Sequence, residues 1–364
     1  MSPQTAAEGP SDVKQTEEVG SAEANTALPL APVSAKTITT LSKEVEAQVA
    51  LEIANAALLT RRQKISAHNG SYRVLQELGS GGNSAVYLVE AIAGQHRGVL
   101  FALKIFLRIG DGARLERFNT EIAFLQSCNH PSILRVFDHG VHYASVNGAP
   151  RNFPFVVSEY LPDTLRSSML RGLSILEKTA FTLQLLAGIA YLSSRDPEII
   201  HRDIKPENIF VKGRSAVLGD FGLLKAGDGI DPSIEYHIEA SSGVRFPRLY
   251  PTPDLVEYCK DRQNPVPLTS KSDVFQLGLV LAELFTSEIP LEPRNVPFSP
   301  IVLKELKTIL GSQGEAIKGH IGKMLEMSTD KRPSATDLFD PWEGIFLQLA
   351  DMAQALEGRI FANS

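Results

Sequence analysis

Every Phe, Tyr and Trp of this chain lies beyond residue 71, and that asymmetry limits the part of the sequence that can build a hydrophobic core. Residues 1–40 are rich in Ala, Ser, Thr, Glu and Pro. They lack the bulky side chains whose burial offsets the entropy that a chain loses on ordering. We therefore predict a disordered tail over residues 1–40 and a folded domain that begins near residue 71.

The segment between these two parts, residues 41–70, has a pattern of its own. Apolar residues from Leu41 to Ile65 recur near helical spacing, and Ser42 is a candidate N-cap. Two interpretations fit this pattern. Either residues 41–66 form an amphipathic helix that docks on a partner or on the folded part of the chain, or they form a transient helix within the tail.

From residue 71 onward, strand patterns come first and helix patterns follow. Alternating or continuous apolar stretches predict strands as far as residue 160, with one amphipathic helix over residues 114–128 among them. Helical periodicity dominates after Pro162, an order that is typical of an α+β chain in two lobes. The predicted boundaries are 71–160 for a small strand-rich N-lobe, 161–345 for a larger helical C-lobe (together the domain 71–345) and 346–364 for a C-terminal helical extension.

Composition and charge argue against several classes of function. The formal net charge of −6 does not favour a nucleic-acid or anionic-membrane partner. Cys128 and Cys259 are too few for a disulfide framework in a chain of 364 residues, which indicates a reducing compartment. The longest apolar run, residues 180–192, is shorter than the ~20 residues that cross a bilayer. We expect a cytoplasmic protein with no membrane span and no nucleic-acid partner.

The most specific motif is the segment 201–208, which reads His-Arg-Asp-Ile-Lys-Pro-Glu-Asn. Phosphoryl transfer needs positioning and charge neutralisation more than covalent help from the protein. Asp203 can accept the proton of an attacking hydroxyl, Lys205 can lie against a γ-phosphate, and Asn208 offers an oxygen ligand of the kind that Mg²⁺ prefers. A polar surface loop is the alternative, but chance does not readily fill every functional position. The segment resembles the catalytic loop of eukaryotic-type (Hanks-type) protein kinases.

Two further segments agree with this resemblance in order and spacing. The segment 219–222, Gly-Asp-Phe-Gly, follows an apparent hairpin, and the resemblance makes its Asp220 a Mg²⁺ ligand together with Asn208. Lys104 lies in an otherwise apolar strand, where an unpaired charge is costly, and Glu121 lies on the inward face of the next predicted helix. The resemblance implies that Lys104 holds the α- and β-phosphates of ATP and that Glu121 orients it. A surface lysine and a solvated glutamate are the alternatives.

A glycine-rich turn follows the first predicted strand and reads Leu-Gly-Ser-Gly-Gly-Asn-Ser over residues 78–84. Glycines let such a turn close over phosphates with its N–H groups facing the oxygens. The residues after Ser84 are strand-like, which argues against a dinucleotide fold, in which the turn opens a helix. Ser84 itself stands where the family usually has a third glycine. The resemblance implies nucleotide contacts from Leu78, Gly79, Ser80, Gly81, Gly82, Asn83, Ser84, Val86, Ala102, Lys104, Glu159, Leu161 and Phe210.

The resemblance also assigns a hinge and a substrate side. Ser158 occupies the gatekeeper position before the hinge, and its small side chain predicts a pocket behind the adenine. Lys205 goes with serine/threonine specificity, although the family's threonine that bonds the catalytic aspartate is missing before the segment Thr-Pro-Asp that ends at Asp254. Asp254 replaces the family's glutamate and is expected to pair with Arg332. Asp273 is expected to hold the backbone of the catalytic loop.

Arg202, next to Asp203, is a cation that in this family often awaits a phosphate on the activation segment. We favour autophosphorylation at Ser241 or Ser242, since they lie nearest the C-terminal end of that segment. The full set of candidates is Ser233, Tyr236, Ser241 and Ser242.

The resemblance covers roughly residues 72–345 and implies a bilobal protein kinase fold, with ATP and Mg²⁺ as cofactors and protein serine or threonine hydroxyls as acceptors. A kinase-fold scaffold without catalysis is the alternative, and Ser84, Pro247 and Asp254 favour it. The scaffold alternative is opposed by the complete set of residues expected for catalysis, namely Lys104, Asp203, Asn208 and Asp220. A small-molecule phosphotransferase, similar to aminoglycoside or choline kinases, is a third hypothesis, against which Lys205 argues.

Overall fold

A computed structural model describes part of the chain, and all statements on structure refer to that part. The chain divides into an N-terminal unit, residues 1–48, and a main unit, residues 49–364. The predicted tail over residues 1–40 lies outside the described residues. The described residues are 48–49, 51–81, 83–221, 225–226, 238–239, 243–244, 250, 252–260, 268–290, 300–303, 305–306 and 312–362.

A six-stranded antiparallel sheet forms the N-lobe, in the order β1-β2-β3-β4-β6-β5. In β3 and β4, buried residues alternate with partly exposed ones, because successive side chains of a strand point to opposite faces. One face forms the lobe's core, with Tyr87, Leu103 and Phe155 fully buried. The strands are β1 Lys64–Ser66, β2 Ser71–Ser80, β3 Ser84–Ala93, β4 Leu100–Phe106, β5 Val136–Val146 and β6 Ala149–Glu159.

Residues 51–66 dock on this sheet rather than standing apart from it. Residues 51–56 are helical, and Ala57 and Leu59 are buried in the N-lobe core. The backbone N–H of Leu59 donates to the hydroxyl of Tyr87 at 3.1 Å. The prediction of a helix as far as residue 66 is wrong beyond residue 56, because Ile65 lies in β1 and pairs with β2. Of the two interpretations, docking on the chain's own folded part describes residues 51–66.

One helix of the N-lobe, α1 (Gly112–Ser127), packs on the sheet face opposite the core. Phe118 and Ile122 of this helix bury against Phe106 and Val156 of the sheet. The inward face of α1 is the one that carries Glu121, which is 3% exposed.

The C-lobe is built on the helix α5 (Lys271–Thr286), which is buried from Ser272 to Phe285. A helix that is buried on all sides has to be enclosed by other elements, and the apolar residues of this one belong to the largest hydrophobic cluster of the described residues. The other helices are α2 Leu165–Arg171, α3 Ile175–Ser193, α4 Pro253–Lys260, α6 Ser312–Met324 and α7 Phe339–Ala362, with a 3₁₀ turn at Thr336–Leu338. The short strands are β7 Asp163–Thr164, β8 Ile199–Ile200, β9 Ile209–Lys212, β10 Ser215–Leu218, β11 Lys225–Ala226, β12 Ile238–Glu239 and β13 Gly243–Val244.

The predicted boundary at residue 345 falls inside a continuous helix. Ile345 and Leu349 of α7 both pack in the C-lobe core, together with the fully buried Trp342. The α7 helix therefore belongs to the C-lobe at least as far as Leu349.

Helix α3 is, within the described part, the one helix long and apolar enough to cross a membrane by length and composition. Its Leu185 and Ile189 are fully buried in the C-lobe core. A core helix passes the same test, so length and composition alone do not mark a membrane span here.

Candidate active site

The sheet face opposite the N-lobe core carries the residues predicted to contact a nucleotide. Val86 pairs with Lys104 across β3 and β4, and Ala102 pairs with Ser158 across β4 and β6. Partners that lie opposite each other in a ladder share a face of the sheet. These four side chains are therefore neighbours because of strand register alone.

The glycine-rich turn joins β2 to β3, and it is closed by a hydrogen bond from Gly81 N to Ser84 O at 2.9 Å. Asn83 O accepts from Leu107 N at 2.8 Å, which fixes the turn to the end of β4. A Cβ atom added at Gly79 or Gly81 would meet nothing within 4 Å, so open space surrounds both glycines. Such a turn has room for phosphate oxygens. Gly82 lies outside the described residues.

Lys104 lies between two carboxylates. Its Nζ is 3.1 Å from Glu121 Oε1 of helix α1 and 2.9 Å from Asp220 Oδ1, which follows strand β10. Glu121 is buried, whereas the Asp220 side chain is half exposed. The ion pairs thus join β4, α1 and the residue that follows β10. The pair of Lys104 with Glu121 was predicted, whereas the pair of Lys104 with Asp220 was not.

These contacts set the charges at the site. Burial alone would lower the pKa of Lys104, but the carboxylates of Asp220 and Glu121 outweigh it and raise that pKa above its usual value. Lys104 in turn lowers the pKa of Asp220 to about 2. Burial raises the pKa of Glu121, and Lys104 opposes that shift. At neutral pH the site therefore presents an ammonium group for phosphates and an ionised Asp220 for a cation.

The catalytic loop gathers three of the predicted residues around one carboxylate oxygen. Asp203 Oδ2 accepts from Lys205 Nζ at 2.7 Å and from Asn208 Nδ2 at 2.8 Å. Asn208 Nδ2 also donates to the backbone carbonyl of Asp203 at 3.0 Å. The other amide atom of Asn208, Oδ1, therefore points away from Asp203. Asn208 O accepts from Gly219 N at 3.0 Å, so the backbone places Asn208 beside the residue that precedes Asp220.

The two predicted Mg²⁺ ligands, Asp220 and Asn208, fit a cation that keeps water and phosphate in its shell. Mg²⁺ in nucleotide sites usually takes one or two carboxylates and leaves its other positions to phosphates and water. No group of three or more His, Cys, Asp or Glu side chains suited to a metal occurs in the part of the chain that the structure describes. One carboxylate and one amide oxygen are the kind of protein donors that suit Mg²⁺ bound together with a nucleotide.

Phe221 and His201 pack behind this cluster. Phe221 is fully buried, with its ring centroid 4.6 Å from that of His201 and 5.7 Å from that of Phe124 in α1. His201 Nε2 lies 3.1 Å from Gly219 O, and burial lowers the pKa of this imidazole. Phe221 thereby connects the catalytic loop to the helix that carries Glu121.

Phe210, which was predicted to contact the nucleotide, lies in β9. A Cβ added at Gly219 would come within 2.6 Å of the Phe210 ring, so the glycine lets the ring pack against the backbone. At the predicted hinge, Glu159 N donates to Arg135 O at 3.0 Å and is committed to that bond. A base contact from Glu159 would therefore use its carbonyl. The contacts predicted for Glu159 and Leu161 stay predictions.

Helix α5 holds the backbone of the catalytic loop. Asp273 is fully buried and accepts from the N–H groups of His201 and Arg202, both at 2.8 Å. Burial raises the pKa of Asp273 to about 7, although the two N–H donors act in the opposite direction. Arg202 and Asp220 both have positive φ angles, 66° and 57°, which are uncommon for residues other than glycine and cluster at functional sites.

The predicted pair of Asp254 and Arg332 is present at the base of α4. Arg332 Nη1 lies 3.0 Å from Asp254 Oδ1, and both residues are buried. The two opposite charges therefore form a buried ion pair. Asp254 also accepts from the hydroxyl of Ser272. The shorter aspartate thus reaches both partners.

Sequence reasoning missed two polar residues that contact the catalytic loop. Arg166 donates through Nε to Glu207 at 2.8 Å and through Nη2 to the Tyr250 hydroxyl at 3.0 Å, and it also pairs with Glu283. Gln276 of α5 contacts the catalytic loop. An arginine near the start of a short helix carries no sequence signal, but a glutamine three residues after Asp273 in an apolar helix does, because i and i+3 share a face. The candidate phosphorylation sites and Pro247 lie outside the described residues.

A strand-rich lobe, a helical lobe and an ion-paired lysine between them define a phosphotransferase of the protein kinase type. The sequence profile of the protein kinase domain matches residues 72–342. This chain therefore belongs to the protein kinase family, and the predicted resemblance and the bilobal α+β fold are confirmed. Members of the family in general use ATP and a divalent metal ion.

Curated relatives are bacterial and eukaryotic serine/threonine kinases. The chain is 30% identical over 288 residues to serine/threonine-protein kinase pkn2 of Myxococcus xanthus, covering 75% of this chain and 32% of the relative. It is 29% identical over 244 residues to PrkC of Bacillus subtilis, covering 66% and 34%. It is 30% identical over 238 residues to a probable serine/threonine-protein kinase WNK4 of Arabidopsis thaliana, covering 63% and 38%. The chain thus spans about a third of the length of these relatives.

Proposed function

We propose that this chain is an active serine/threonine protein kinase that depends on ATP and Mg²⁺. The observation that carries the proposal is that the Lys104 ion pairs and the cluster around Asp203 are formed at the same time. A chain that had lost catalysis would have no need to keep both sets of charges in place. The names of the relatives, all serine/threonine kinases, support the same choice.

Each residue has a defined task in the proposed reaction. Asp203 orients the acceptor hydroxyl and takes its proton while the hydroxyl oxygen bonds to the γ-phosphorus and the bond from that phosphorus to the β-phosphate oxygen breaks, releasing ADP. Lys205, whose ammonium donates to Asp203 Oδ2, neutralises charge on the transferred phosphate. Lys104 binds the α- and β-phosphates. Asp220 and Asn208 would hold Mg²⁺, which supplies positive charge to the phosphate oxygens.

Lys205 carries the proposed preference for serine and threonine. In the family that the sequence resembles, a lysine two residues after the catalytic aspartate goes with serine and threonine acceptors, and here its ammonium contacts that carboxylate at 2.7 Å. Measuring transfer to otherwise identical peptides with Ser, Thr or Tyr as the acceptor tests this choice. Equal transfer to Tyr would contradict it.

The kinase proposal is tested by phosphate transfer from labelled ATP, with Mg²⁺, to a generic basic protein. Asp203→Ala and Lys104→Met are expected to abolish transfer. Asp330→Ala and Lys323→Met remove an exposed carboxylate and an exposed ammonium, and they are expected to leave it unchanged. Nucleotide binding without transfer by the wild type would indicate a scaffold, and transfer only to small-molecule acceptors would indicate the third hypothesis.

We further propose autophosphorylation at Ser241 or Ser242. The resemblance supports it, since an arginine before the catalytic aspartate, here the buried Arg202, often binds a phosphate on the activation segment in this family. Phosphopeptide mapping of the wild type and of Asp203→Asn tests this. Phosphate at these serines in both proteins, or in neither, would contradict it. The cytoplasmic placement suggested by the composition is also a proposal, and cell fractionation tests it.

A further inference from the structure

A buried glutamine of helix α5 holds both peptide groups that flank Asp203. Gln276 is 1% exposed. Its Oε1 accepts from Ile204 N at 2.9 Å, and its Nε2 donates to Arg202 O at 2.9 Å. Arg202 O belongs to the peptide group before Asp203, and Ile204 N belongs to the peptide group after it. One side chain therefore limits the backbone rotation of Asp203 from both sides.

The third hydrogen bond of Gln276 goes to a different segment. Its Nε2 also donates to Tyr250 O at 3.1 Å, just before helix α4. A glutamine offers two N–H donors and a carbonyl acceptor, and here each N–H has a carbonyl partner while the carbonyl has an N–H partner. A methionine at this position would have no such groups, and a glutamate would lack the N–H donors. The three partners therefore specify glutamine at this position.

Tyr250 is held at its other end as well. Its hydroxyl contacts Arg166 at 3.0 Å and bonds to Glu283, and Arg166 bonds to Glu207 of the catalytic loop. Gln276 therefore links the backbone around Asp203 to a tyrosine that already lies against the same loop. These contacts are separate from the predicted nucleotide contacts of β3 and β4 and from the pair of Lys104 with Glu121 of α1.

We propose that Gln276 is a positioning residue for phosphoryl transfer, which fixes Asp203 relative to the Tyr250 segment. The inference rests on the proposed kinase function. It complements the role of Asp273, which lies one turn earlier and holds the N–H groups of His201 and Arg202. The hydrogen bonds of Gln276 go to the catalytic loop and to Tyr250, so its loss should affect the chemical step and leave ATP binding intact.

Three variants test this role. Gln276→Met keeps the volume and removes all three hydrogen bonds, whereas Gln276→Glu keeps the acceptor for Ile204 N and places a second oxygen against two carbonyls. Thr286→Val is the matched control, since it removes side-chain hydrogen bonds from the same helix about 15 Å away. We expect kcat to fall about 10- to 100-fold in both Gln276 variants, because small displacements of a catalytic group are costly. KM for ATP should change by less than about twofold, and Thr286→Val should behave as wild type.

Hydrogen exchange at the Ile204 amide provides a readout that does not depend on activity. The amide should exchange faster in Gln276→Met and stay protected in Gln276→Glu, which retains its acceptor. Wild-type kcat in a folded Gln276→Met, or unchanged exchange at Ile204, would overturn the inference. If Gln276→Met does not fold, wild-type kcat in Gln276→Glu would overturn it too. A wild type that transfers no phosphate would defeat the kinase proposal, while the exchange comparison would still decide whether Gln276 holds this loop.

Discussion

Replacing Arg332 with Met is expected to destabilise the C-lobe more than any surface change. Arg332 is fully buried, and its charge lies 3.0 Å from Asp254 Oδ1. The guanidinium also donates to the carbonyls of Lys271 at 2.7 Å and Glu326 at 3.0 and 3.1 Å. Its Cζ lies 4.8 Å from the centroid of the Phe275 ring. The residue therefore joins α4, the start of α5 and the loop after α6.

The expected cost of Arg332→Met in free energy of unfolding follows from the charge that the substitution leaves buried. Removing one partner of a buried ion pair costs about 3–5 kcal/mol, because the other charge stays buried without compensation. Asp254 would be that charge. Asp254→Asn should cost less, about 1–2 kcal/mol, because Arg332 keeps its carbonyl acceptors. The double variant should show a coupling of about 1–3 kcal/mol between the two positions.

Urea unfolding of the wild type, both single variants and the double variant measures these free energies. Lys331→Met, which removes the charge of the adjacent exposed residue, is the control and should change the free energy of unfolding by less than about 0.5 kcal/mol. A free energy for Arg332→Met within about 1 kcal/mol of wild type would refute the reasoning, and so would a coupling near zero.

Three further predictions concern the N-lobe and the site. Bulky gatekeeper-directed ATP analogues should bind the wild type and Ser158→Ala but not Ser158→Phe in a binding assay, and equal affinity for all three would contradict the predicted pocket. Tyr87→Phe should cost about 1–2 kcal/mol in urea unfolding, because the buried Leu59 N–H loses its acceptor, and no change would count against the docked segment. The pKa of Asp220 is lowered to about 2, so the stabilisation from its pair with Lys104 is complete above about pH 4 and is lost as the pH falls toward 2. We therefore expect the wild type to have a slightly larger free energy of unfolding than Asp220→Asn at pH 7, and this difference should be smaller at pH 3. A difference that is larger at pH 3 than at pH 7 would contradict the pairing.

The pairing of Lys104 and Glu121 could be predicted from sequence because each residue is fixed by a local period. Alternation in β4 places Lys104 on the face opposite Leu103, and helical spacing in α1 places Glu121 near Phe118. The catalytic loop was predictable for another reason, since its chemistry depends on residues close together in the chain.

The errors and omissions arise where tertiary contacts decide the outcome. Ile65 fits the helical spacing by coincidence, but its backbone pairs with β2 at the edge of the sheet. Periodicity over so short a stretch cannot distinguish a strand from a helix. Arg166 was missed because its partners lie in distant segments of the chain, and the spacing of Gln276 from Asp273 indicates a shared helix face but not the partners of the glutamine. For Gln276 these partners are residues 202, 204 and 250, which no local pattern relates to one another.

The central claim is that Asp203 performs phosphoryl transfer from a nucleotide site that is already assembled. The most direct measurement compares wild type and Asp203→Asn for ATP affinity and for the single-turnover rate of transfer to a serine peptide. Asp203→Asn preserves the shape of the side chain and removes the proton acceptor. We predict similar ATP affinity and a rate at least about 100-fold lower in the variant. Equal single-turnover rates in the two proteins would contradict the account.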